Sequence, residues 1–255
     1  MPRLPLSLSI VSFNEETNLR RCLDSVANLV EEIVVVDSGS TDRTLEVAKE
    51  FGAITQHQKW LGHRDQKGVA LGLCTQPWVL VLDCDEEVSP ELRAEIVRFF
   101  ESGDSERYDG AWMNRRTWFL GRWIRHGDWY PDRKLRLLRR AVAKAGGEPE
   151  HDKFDLTGTL PTLRFSGDLL HYSFRDINHY LVKQVEFTDH FLARERAAGR
   201  GFSLFKALAR PAWRFFRAYV LRLGFLDGFP GLWIAGATAF FNFVRYSRRF
   251  DDQPS

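Results

Sequence analysis

Val79-Leu80-Val81-Leu82 is an unbroken apolar run that ends in the acidic triplet Asp83-Cys84-Asp85. A continuous apolar run of this kind is typical of a strand that is covered on both faces of a parallel sheet. Carboxylates directly after such a strand lie at the edge of the sheet where α/β proteins bind their ligands. The stretch therefore predicts an α/β fold with an acidic ligand site at the end of a central strand.

The sequence before this stretch alternates predicted strands with predicted helices. Apolar spacing predicts strands at 6–13, 32–37 and 53–56 and helices at 16–29, 41–51 and 62–73. Ser89-Pro90 then begins another helix, because serine caps helix N-termini and proline suits the first helical position. This alternation is typical of a parallel, doubly wound sheet, whose ligand lies outside the carboxyl ends of the strands. Those ends carry polar or acidic residues at 12–15, 37–40 and 83–86.

The second half of the chain has an α+β pattern. Strands are predicted at 110–117 and at 135–138, where basic residues flank the strand, and a helix is predicted at 177–198. Between them, 141–160 contains Gly146-Gly147 and has prolines nearby. Such residues are typical of turns, so this segment is predicted to be rich in loops.

Composition and charge exclude several classes of protein. The 255 residues carry a net charge of only +2, which argues against a nucleic-acid binder. The three cysteines are scattered, without the spacing of a zinc site or a disulfide framework, and favour a reducing compartment. The start of the chain has no signal-peptide pattern, and no apolar stretch of about 20 residues precedes the last fifth. A cytoplasmic protein is therefore expected.

Asp83 and Asp85 are the sharpest candidates for chemistry. Two carboxylates one residue apart at a strand end can both reach a divalent cation, while Cys84 between them points away. Oxygen ligands suit Mg²⁺ or Mn²⁺, which then bridges a nucleotide diphosphate. The alternative is a solvated turn, because acidic triplets also occur elsewhere in this chain, at 148–152. The position after an apolar strand favours the metal.

Two further acids follow predicted strands. Asp37 can accept a hydrogen bond from a base N–H such as that of uracil, or it can cap its own turn. Glu15 can hold the base or the ribose, or it can favour the start of the next helix through the helix dipole. Both residues are therefore candidates for nucleotide binding, each with a structural alternative.

Three motifs cover roughly the first 100 residues: Ser9-Ile-Val-Ser-Phe-Asn-Glu-Glu16, Val36-Asp-Ser-Gly-Ser-Thr-Asp-Arg-Thr44 and Leu82-Asp-Cys-Asp-Glu86. In this order and spacing they resemble the signatures of family 2 glycosyltransferases with the GT-A fold. The resemblance implies a GT-A α/β domain that binds a UDP-sugar and Mn²⁺ or Mg²⁺. The nucleotide-sugar site it implies includes Phe13, Asn14, Glu15, Asp37, Ser38 and Asp83.

Two later stretches narrow the resemblance: Leu120-Gly-Arg-Trp-Ile-Arg-His-Gly-Asp-Trp-Tyr-Pro-Asp-Arg133 and Gly167-Asp-Leu-Leu-His-Tyr172. They are similar to WaaE-type lipopolysaccharide core glucosyltransferases. That family implies an inverting transfer, usually from UDP-glucose, onto a core heptose. Alternatives are transfer to a polyprenyl phosphate or a peptide, and an inactive sugar-nucleotide-binding scaffold. A nucleotidyltransferase would need a glycine-rich phosphate loop, which 9–16 lacks.

The same resemblance implies the catalytic base. The family places a His-Glu pair after the Arg-rich strand, and the matching position here is His151-Asp152. Asp152 is therefore expected to take the proton of the acceptor hydroxyl, with Glu150 and Asp155 as alternatives. Some relatives place a histidine after the base, which makes His171 a candidate metal ligand; a structural histidine is the alternative.

Basic side chains near these strand ends are candidates for contacts with phosphate. Lys67 and Arg64 lie on the helix before the metal strand, although a solvated helix face would look the same. Arg136 and Arg139 belong to the basic strand and are also assigned to the nucleotide-sugar site. Because they are an odd number of residues apart, they are expected on opposite faces, so that only one serves the leaving group.

Trp129 and Tyr130 are predicted to contact the acceptor. Aromatic rings can support a sugar with their apolar faces, and this pair lies next to the basic segment. The alternative is that they are ordinary core residues.

The last fifth of the chain mixes basic and aromatic residues. Its uncharged run, 228–244, is shorter than the roughly 20 residues needed to span a bilayer and contains Pro230. Basic residues among aromatic ones suit an anionic membrane surface. Because Pro211 is expected to break the helix, only Arg214 and Arg217 are expected to share a face.

We therefore predict a GT-A catalytic domain at 1–195 and a membrane-associating tail at 196–255, peripheral on the inner face of the plasma membrane. The alternative is a helix pair packed on the protein or on a dimer partner.

Overall fold

The fold is that of a computed structural model, which describes residues 3–148, 151–199 and 201–250, without the side chains of residues 148, 151 and 152. The chain divides into two compact units. The first contains Met1–Arg115 and Asp132–His171, and the second contains Arg116–Pro131 and Tyr172–Ser255. Because these units reflect packing alone, the functional division at residue 196 stays a prediction.

The first unit is an α/β sandwich. Its helices are α1 (Glu16–Val26), α2 (Thr44–Glu50), α3 (His63–Leu73) and α4 (Pro90–Glu101). Its sheet strands are β1 (Leu4–Ser12), β2 (Val30–Asp37), β3 (Ile54–His57), β4 (Trp78–Asp83), β5 (Glu86–Val88), the first part of β6 (Gly110–Phe119), β8 (Asp132–Arg139) and β11 (Thr162–His171). The short strand β7 (Arg122–Trp123) belongs to the second unit and pairs with the end of β6.

The described strands form a mixed sheet in the order β3-β2-β1-β4-β8-β6-β11-β5. The first four strands are parallel, so the carboxyl ends of β1, β2 and β4 lie along one edge. Strand β8 runs antiparallel to β4, and β6 runs antiparallel to β8. The predicted α/β class with C-terminal helices is confirmed, with a parallel half that is extended by antiparallel strands.

Apolar side chains cover both faces of the parallel strands. Alternate residues of β4 point to opposite sides, so that Leu80 joins the core under α1 and α4 while Val79 and Val81 join a second core beside α3. These residues are almost fully buried. Burying each such side chain contributes about 1.5–3 kcal/mol, which explains why the run has no polar residue before Asp83.

A hairpin replaces the loop that was predicted at 141–160. Strands β9 (Ala143–Glu148) and β10 (His151–Leu156) pair antiparallel, with Asp152 opposite Gly147. The prediction was wrong because Gly146 serves a close approach and not a turn. A Cβ atom at Gly146 would meet the carboxylate of Asp155, so a larger residue there would require that side chain to move.

Helices dominate the second unit. They are α5 (Ile177–Ala197), α6 (Leu204–Phe216) and α7 (Gly228–Ser247), with a π-helical turn at Arg217–Leu221. Pro211 lies inside α6, so the predicted break at this residue is wrong. A proline removes one backbone N–H, and the packing of α6 against α7 offsets that loss. Among the described residues, no helix is long and apolar enough to cross a membrane.

Asp128 forms ion pairs with three arginines of the second unit. Its carboxylate lies 2.7 Å from Arg214, 2.9 Å from Arg217 and 3.1 Å from Arg222, and its side chain is only 4% exposed. Arg214 and Arg217 were expected to share a face, and both reach Asp128, because an almost buried carboxylate needs cationic partners.

Candidate active site

Asp37 ends β2 and is almost fully buried. Its Oδ2 accepts from the backbone N–H groups of Gly39 and Ser40, both at 2.8 Å. Its Oδ1 accepts from the hydroxyls of Ser12 at 3.0 Å and Ser40 at 2.5 Å. Burial alone would raise the pKa of Asp37, but these hydrogen bonds outweigh it and lower the pKa.

This geometry favours the structural alternative for Asp37, a cap of its own turn, and its contact with a base stays a prediction. A carboxylate offers about four lone-pair positions, and the four hydrogen bonds use them. Asp37 therefore fixes the turn after β2, which was the structural alternative.

The loop after β1 is bound to the loop after β2. The N–H of Asn14 donates to the Ser40 hydroxyl at 2.8 Å, and the Asn14 amide oxygen accepts from the N–H of Thr41 at 2.8 Å. The N–H of Glu15 donates to the Thr44 hydroxyl at 2.8 Å. Asn14 has a φ of 54°, a left-handed conformation that asparagine tolerates. These bonds place Asn14 and Glu15 beside the Asp37 turn, as predicted.

Ser38 and Phe13 lie at the same strand ends. The Ser38 hydroxyl accepts from the side-chain amide of Gln66 at 3.1 Å, and that amide also donates to the Gln58 carbonyl at 3.0 Å. Gln66 is fully buried, so it fixes Ser38 to α3. Sequence reasoning did not identify Gln66. Phe13 is 57% exposed and presents an apolar ring next to these polar groups.

Asp83, at the end of β4, binds two cations. Its Oδ1 lies 2.6 Å from Lys67 Nζ, and its Oδ2 lies 2.5 Å from a guanidinium nitrogen of Arg136. Both cations are buried. Burial would raise the pKa of Asp83, but the charges of Arg136 and Lys67 outweigh it and hold the pKa well below its usual value. Lys67 therefore faces the strand end, as predicted, and is not a solvated surface residue.

Glu86 extends this network, although sequence reasoning gave it no role. It is fully buried and accepts from Arg136 at 2.6 Å and from the N–H of Asp83 at 3.0 Å. Arg115 lies 3.5 Å from Glu86 and 2.7 Å from Asp132. The sequence feature that could have identified Glu86 is its position directly after the acidic triplet. No sequence feature identified Arg115 as part of this network, because its partners are distant in the sequence.

Asp85 points to a different partner. Its Oδ2 lies 3.3 Å from Nε2 of His171, at the end of β11. Burial raises the pKa of Asp85, but the hydrogen bond and charge of His171 outweigh it and lower the pKa. The two donor atoms are close enough for one ion to bind both, and a carboxylate and an imidazole suit Mn²⁺.

The metal site assigned to Asp83, Asp85 and His171 stays a prediction. Each oxygen of Asp83 bears a cation, while Asp85 faces His171, so Asp83 as a metal ligand stays a prediction. The described residues contain no group of three or more His, Cys, Asp or Glu side chains placed to hold a metal ion. Asp85 and His171 fit an ion that takes its remaining ligands from a bound diphosphate and water.

Cys84 points away from the carboxylates, as predicted. It is buried in the core, and its thiol donates to the Val11 carbonyl at 3.3 Å. Burial raises the pKa of Cys84 well above its usual value, so the thiol is not a nucleophile.

Arg139 lies at the other end of β8. It pairs with Asp109 at 3.1 Å and donates to the carbonyls of Ser105 and Tyr108. It therefore does not accompany Arg136, because alternation along the strand sends the two side chains to opposite faces. Arg64 pairs with its neighbour Asp65 at 2.7 Å on the surface. Of the four basic candidates, Lys67 and Arg136 are the ones at the strand ends.

The base assigned to Asp152 is outside what the structure describes. Its backbone belongs to β10, but its side chain is not described, and Glu150 lies outside the described residues altogether. Asp155 is described, and its carboxylate lies 2.8 Å from Lys153 Nζ on an exposed face. The assignment of Asp152 stays a prediction.

Trp129 belongs to the aromatic core of the second unit. Its ring lies 5.3 Å from the rings of Phe119 and Phe174 and 5.8 Å from Tyr180. These contacts favour the core role over an acceptor platform. Tyr130 precedes a cis peptide bond to Pro131 and is half-buried; its contact with an acceptor stays a prediction.

The model of glycosyl transferase family 2 matches residues 7–155, which include the Asp37 turn, Lys67 and the Asp83 network. The chain belongs to glycosyl transferase family 2. It is therefore an enzyme that transfers a sugar, and its first unit has the mostly parallel sheet of the GT-A fold.

Relatives of this family 2 glycosyltransferase match along nearly its whole length. An uncharacterised glycosyltransferase of Rickettsia typhi is 31% identical over 253 residues, 95% of this chain and 86% of the relative. The lipopolysaccharide core biosynthesis glycosyltransferase LpsC of Rhizobium meliloti is 28% identical over 246 residues, 94% of this chain and 87% of the relative. Among solved structures, TarS 1–349 of S. aureus is 16% identical with a TM-score of 0.49, covering 98% of this chain and 92% of that chain.

Proposed function

We propose that this family 2 glycosyltransferase moves a hexose, glucose from UDP-glucose, onto a lipopolysaccharide-core or related cell-envelope glycan. The similarity to LpsC over most of both chains supports the acceptor class. The motifs at 120–133 and 167–172 that resemble WaaE-type enzymes support the donor. The reaction releases UDP and leaves the sugar with inverted configuration.

The Lys67–Asp83–Arg136 network is the observation that carries the proposal. Lys67 and Arg136 bind Asp83, Arg136 also binds Glu86, and Arg115 lies between Glu86 and Asp132, so three cations are held by three carboxylates. They are held at the sheet edge where α/β proteins bind ligands. Cations that the fold holds at this edge suit a diphosphate and would stabilise the charge that develops on it as it leaves.

The transfer requires a base on the acceptor side. The acceptor hydroxyl attacks the anomeric carbon as the bond from that carbon to the diphosphate oxygen breaks. The electron pair of the broken bond leaves with UDP, and we assign the proton of the hydroxyl to Asp152. General bases of this kind contribute about 10²–10⁴-fold to the rate.

Asp85 and His171 are the residues that would hold Mn²⁺ or Mg²⁺. When bound, the ion neutralises part of the charge on the leaving diphosphate. Lys67 and Arg136 act on the same charge as fixed cations, which the fold positions before the donor binds.

The second unit supports attachment to the inner face of the plasma membrane. Large apolar side chains of α6 and α7 are exposed, among them Phe205 at 79% and Phe229 at 65%. Within 201–250 the described acid is Asp227, which is buried, while arginines and a lysine are distributed throughout. A basic, apolar surface suits anionic lipid, and a membrane-bound enzyme would meet a lipid-anchored acceptor there.

A transfer assay with crossed donors and acceptors tests the proposal. UDP-glucose, UDP-galactose, UDP-N-acetylglucosamine and GDP-mannose would each be offered with a truncated lipopolysaccharide core, a polyprenyl phosphate and a peptide. We expect UDP-glucose with the core acceptor to give the fastest release of nucleotide and a product of inverted configuration. If transfer to polyprenyl phosphate or to the peptide is faster, that compound takes the place of the glycan as the proposed acceptor. The absence of transfer and of donor hydrolysis with all four donors would indicate a binding scaffold.

A further inference from the structure

Asp128 and its three arginine partners form a charged cluster that the site proposed for sugar transfer does not use. All four residues belong to the second unit. Asp128 lies in the motif at 120–133. Arg214 is near the end of α6, Arg217 begins the π-helical turn and Arg222 follows that turn. We call these four residues the arginine cluster; one carboxylate faces three guanidinium groups in it, which leaves two positive charges unmatched.

No other described acid offsets this charge. Among the described residues, Asp128 is the only acidic side chain within ion-pair distance of the three arginines. Asp227, the acid nearest to them in the sequence of the helical segment, is buried and accepts from the N–H groups of Arg125 and His126 at 3.0 and 2.7 Å. Its other oxygen lies 3.6 Å from Arg122. Asp227 therefore has its own partners.

The last described residue before the C-terminal acids lies at the opposite end of α6. Phe250 precedes the acids at 251–252, and its ring lies 5.2 Å from that of Phe202, just before α6. Helix α6 has 13 residues and is about 20 Å long, and Arg217 comes after it. Two residues extend a chain by at most about 7 Å, much less than this length. The positive charge of the arginine cluster is therefore not offset from that end.

Close backbone packing holds the arginine cluster together. The N–H of Gly127 donates to the carbonyl of Arg222 at 2.9 Å. Gly127 has a φ of 77°, which favours glycine. A Cβ atom at Gly224 would lie 2.6 Å from the carbonyl oxygen of Ala218, a backbone atom, so a larger residue would force the turn open. These glycines allow the segment that carries Asp128 to pack against the end of the helix.

The arginines keep many of their hydrogen-bond donors. Arg214 approaches Asp128 through Nε, and Arg217 and Arg222 each donate to it through one terminal nitrogen. Both terminal nitrogens of Arg214 and one of each other arginine have no hydrogen-bond partner among the described residues. The three side chains are 41%, 32% and 51% exposed, so a ligand can reach these donors.

We propose that the arginine cluster binds a phosphate group, with Asp128 as the residue that positions the three arginines. Guanidinium groups bind phosphate oxygens by charge-assisted hydrogen bonds, and the planar fork of arginine matches phosphate geometry. A phosphate monoester carries about two negative charges at pH 7, which matches the two unmatched cations. Asp128 offsets the repulsion between the arginines and holds them in place, so less entropy is lost when the phosphate binds.

Titration calorimetry of the full chain with glycerol 3-phosphate tests the site. Saturating UDP is present, because a phosphate ester could also enter a diphosphate site in the first unit. We expect Arg222→Gln to weaken binding about 10-fold through the loss of charge-assisted hydrogen bonds. Arg248→Gln is the matched control: Arg248 is 42% exposed, belongs to the same unit and pairs with Asp189, and its loss should leave the affinity unchanged. Equal weakening by both variants would overturn the proposal.

Vesicles distinguish the sources of the phosphate. Co-sedimentation is measured with phosphatidylcholine vesicles that contain or lack phosphatidic acid. If Arg222→Gln weakens binding to the vesicles with phosphatidic acid, the arginine cluster accepts a lipid headgroup. If it weakens binding of glycerol 3-phosphate alone, the arginine cluster serves a soluble phosphate ester. Either result supports the phosphate site, and an Arg222→Gln variant that weakens neither would overturn it. Sugar transfer is measured separately and does not depend on these results.

Asp128→Asn separates a positioned site from diffuse attraction. The substitution removes a negative charge, so diffuse attraction alone would make glycerol 3-phosphate bind more tightly. Loss of positioning should instead weaken binding about 10-fold. Arg222→Lys keeps the charge without the planar fork and should also weaken binding, about fivefold, which provides the test if Asp128→Asn does not fold. Tighter binding by a folded Asp128→Asn, or unaltered binding by Arg222→Lys, would contradict the proposal.

Discussion

Lys67 Nζ lies 2.6 Å from Oδ1 of Asp83, so the first acid of the acidic triplet is bound to a cation from α3. Its other oxygen is bound to Arg136. Asp83 therefore acts as an anchor that holds two cations at the sheet edge, while Asp85 faces His171. The two carboxylates have different tasks despite their spacing of one residue.

The first prediction concerns Arg136. Arg136→Gln removes a fixed cation that we place at the leaving diphosphate, and it should lower kcat by about 10²–10³-fold. Arg133→Gln, an exposed arginine on the same strand, is the matched control and should retain activity. Because Glu86 loses its partner, the melting temperature will also fall, so transfer must be measured well below it. Near-normal transfer by a folded Arg136→Gln would remove this residue from the mechanism.

The second prediction concerns the pH dependence of stability. The pKa of Asp83 is held well below its usual value by Arg136 and Lys67, although burial opposes this shift. A carboxyl with a depressed folded pKa stabilises the protein above its unfolded pKa of about 3.9, and this is lost as pH falls through the folded value. Asp83→Asn should therefore lower the melting temperature at pH 7. The difference in melting temperature from the unaltered protein should become smaller below about pH 4. A difference that stays constant down to the acid limit would contradict the ion pairs.

The third prediction separates two roles of Asp37. Because its oxygens are used by Gly39, Ser40 and Ser12, Asp37→Asn should destabilise the fold by about 1–3 kcal/mol through lost and unpaired hydrogen bonds. The ratio of UDP to CDP affinity, measured by calorimetry, should stay the same. A variant of normal stability that lost its preference for UDP would restore Asp37 as the reader of the base.

The fourth prediction concerns the metal. EDTA should abolish most transfer, and Asp85→Asn should weaken binding of Mn²⁺ in the presence of UDP, since it removes a charged ligand beside His171. Electron paramagnetic resonance of Mn²⁺ measures this binding directly. Asp24→Asn, at an exposed position of α1, should behave as the unaltered protein. Full transfer in EDTA would exclude a required ion.

The fifth prediction concerns the base. Asp152→Asn should slow transfer by about 10²–10⁴-fold with little change in UDP affinity, because the base contacts the acceptor. Asp155→Asn, three residues along the same strand, should have a small effect, since that carboxylate pairs with Lys153 on the surface. If Asp155→Asn slows transfer more than Asp152→Asn does, the role of the catalytic base passes to Asp155.

Local patterns in the sequence were sufficient to predict the elements around the site. The strand predicted from the apolar run Val79–Leu82 is observed as Trp78–Asp83, and Ser89 caps α4 by accepting from the N–H of Leu92. Arg136 and Arg139 also point to opposite faces of the strand, as expected. These features depend on backbone periodicity and on hydrogen bonds within a few residues, which the sequence shows directly.

Features that depend on long-range packing were not predictable. Gly146 resembled a turn residue, but it lies in a strand, where the Asp155 side chain of the neighbouring strand approaches it closely. Pro211 resembled a helix break, but α6 continues through it against α7. The sequence placed Arg214 and Arg217 on one face, but it gave no sign of their partner Asp128, which lies about 90 residues earlier in the chain.

The sequence by itself determined the α/β class, the family and the strand ends at which the acids lie. It could not distinguish Asp37 from Asp83, because each is an aspartate that follows a buried apolar strand. The tertiary structure decided their roles. Asp37 is satisfied by N–H and hydroxyl groups, mostly of its own turn, while Asp83 is satisfied by Lys67 and by Arg136, 53 residues away. The charge and pKa of a carboxylate depend on the groups that replace its water, and folding brings those groups from distant parts of the chain.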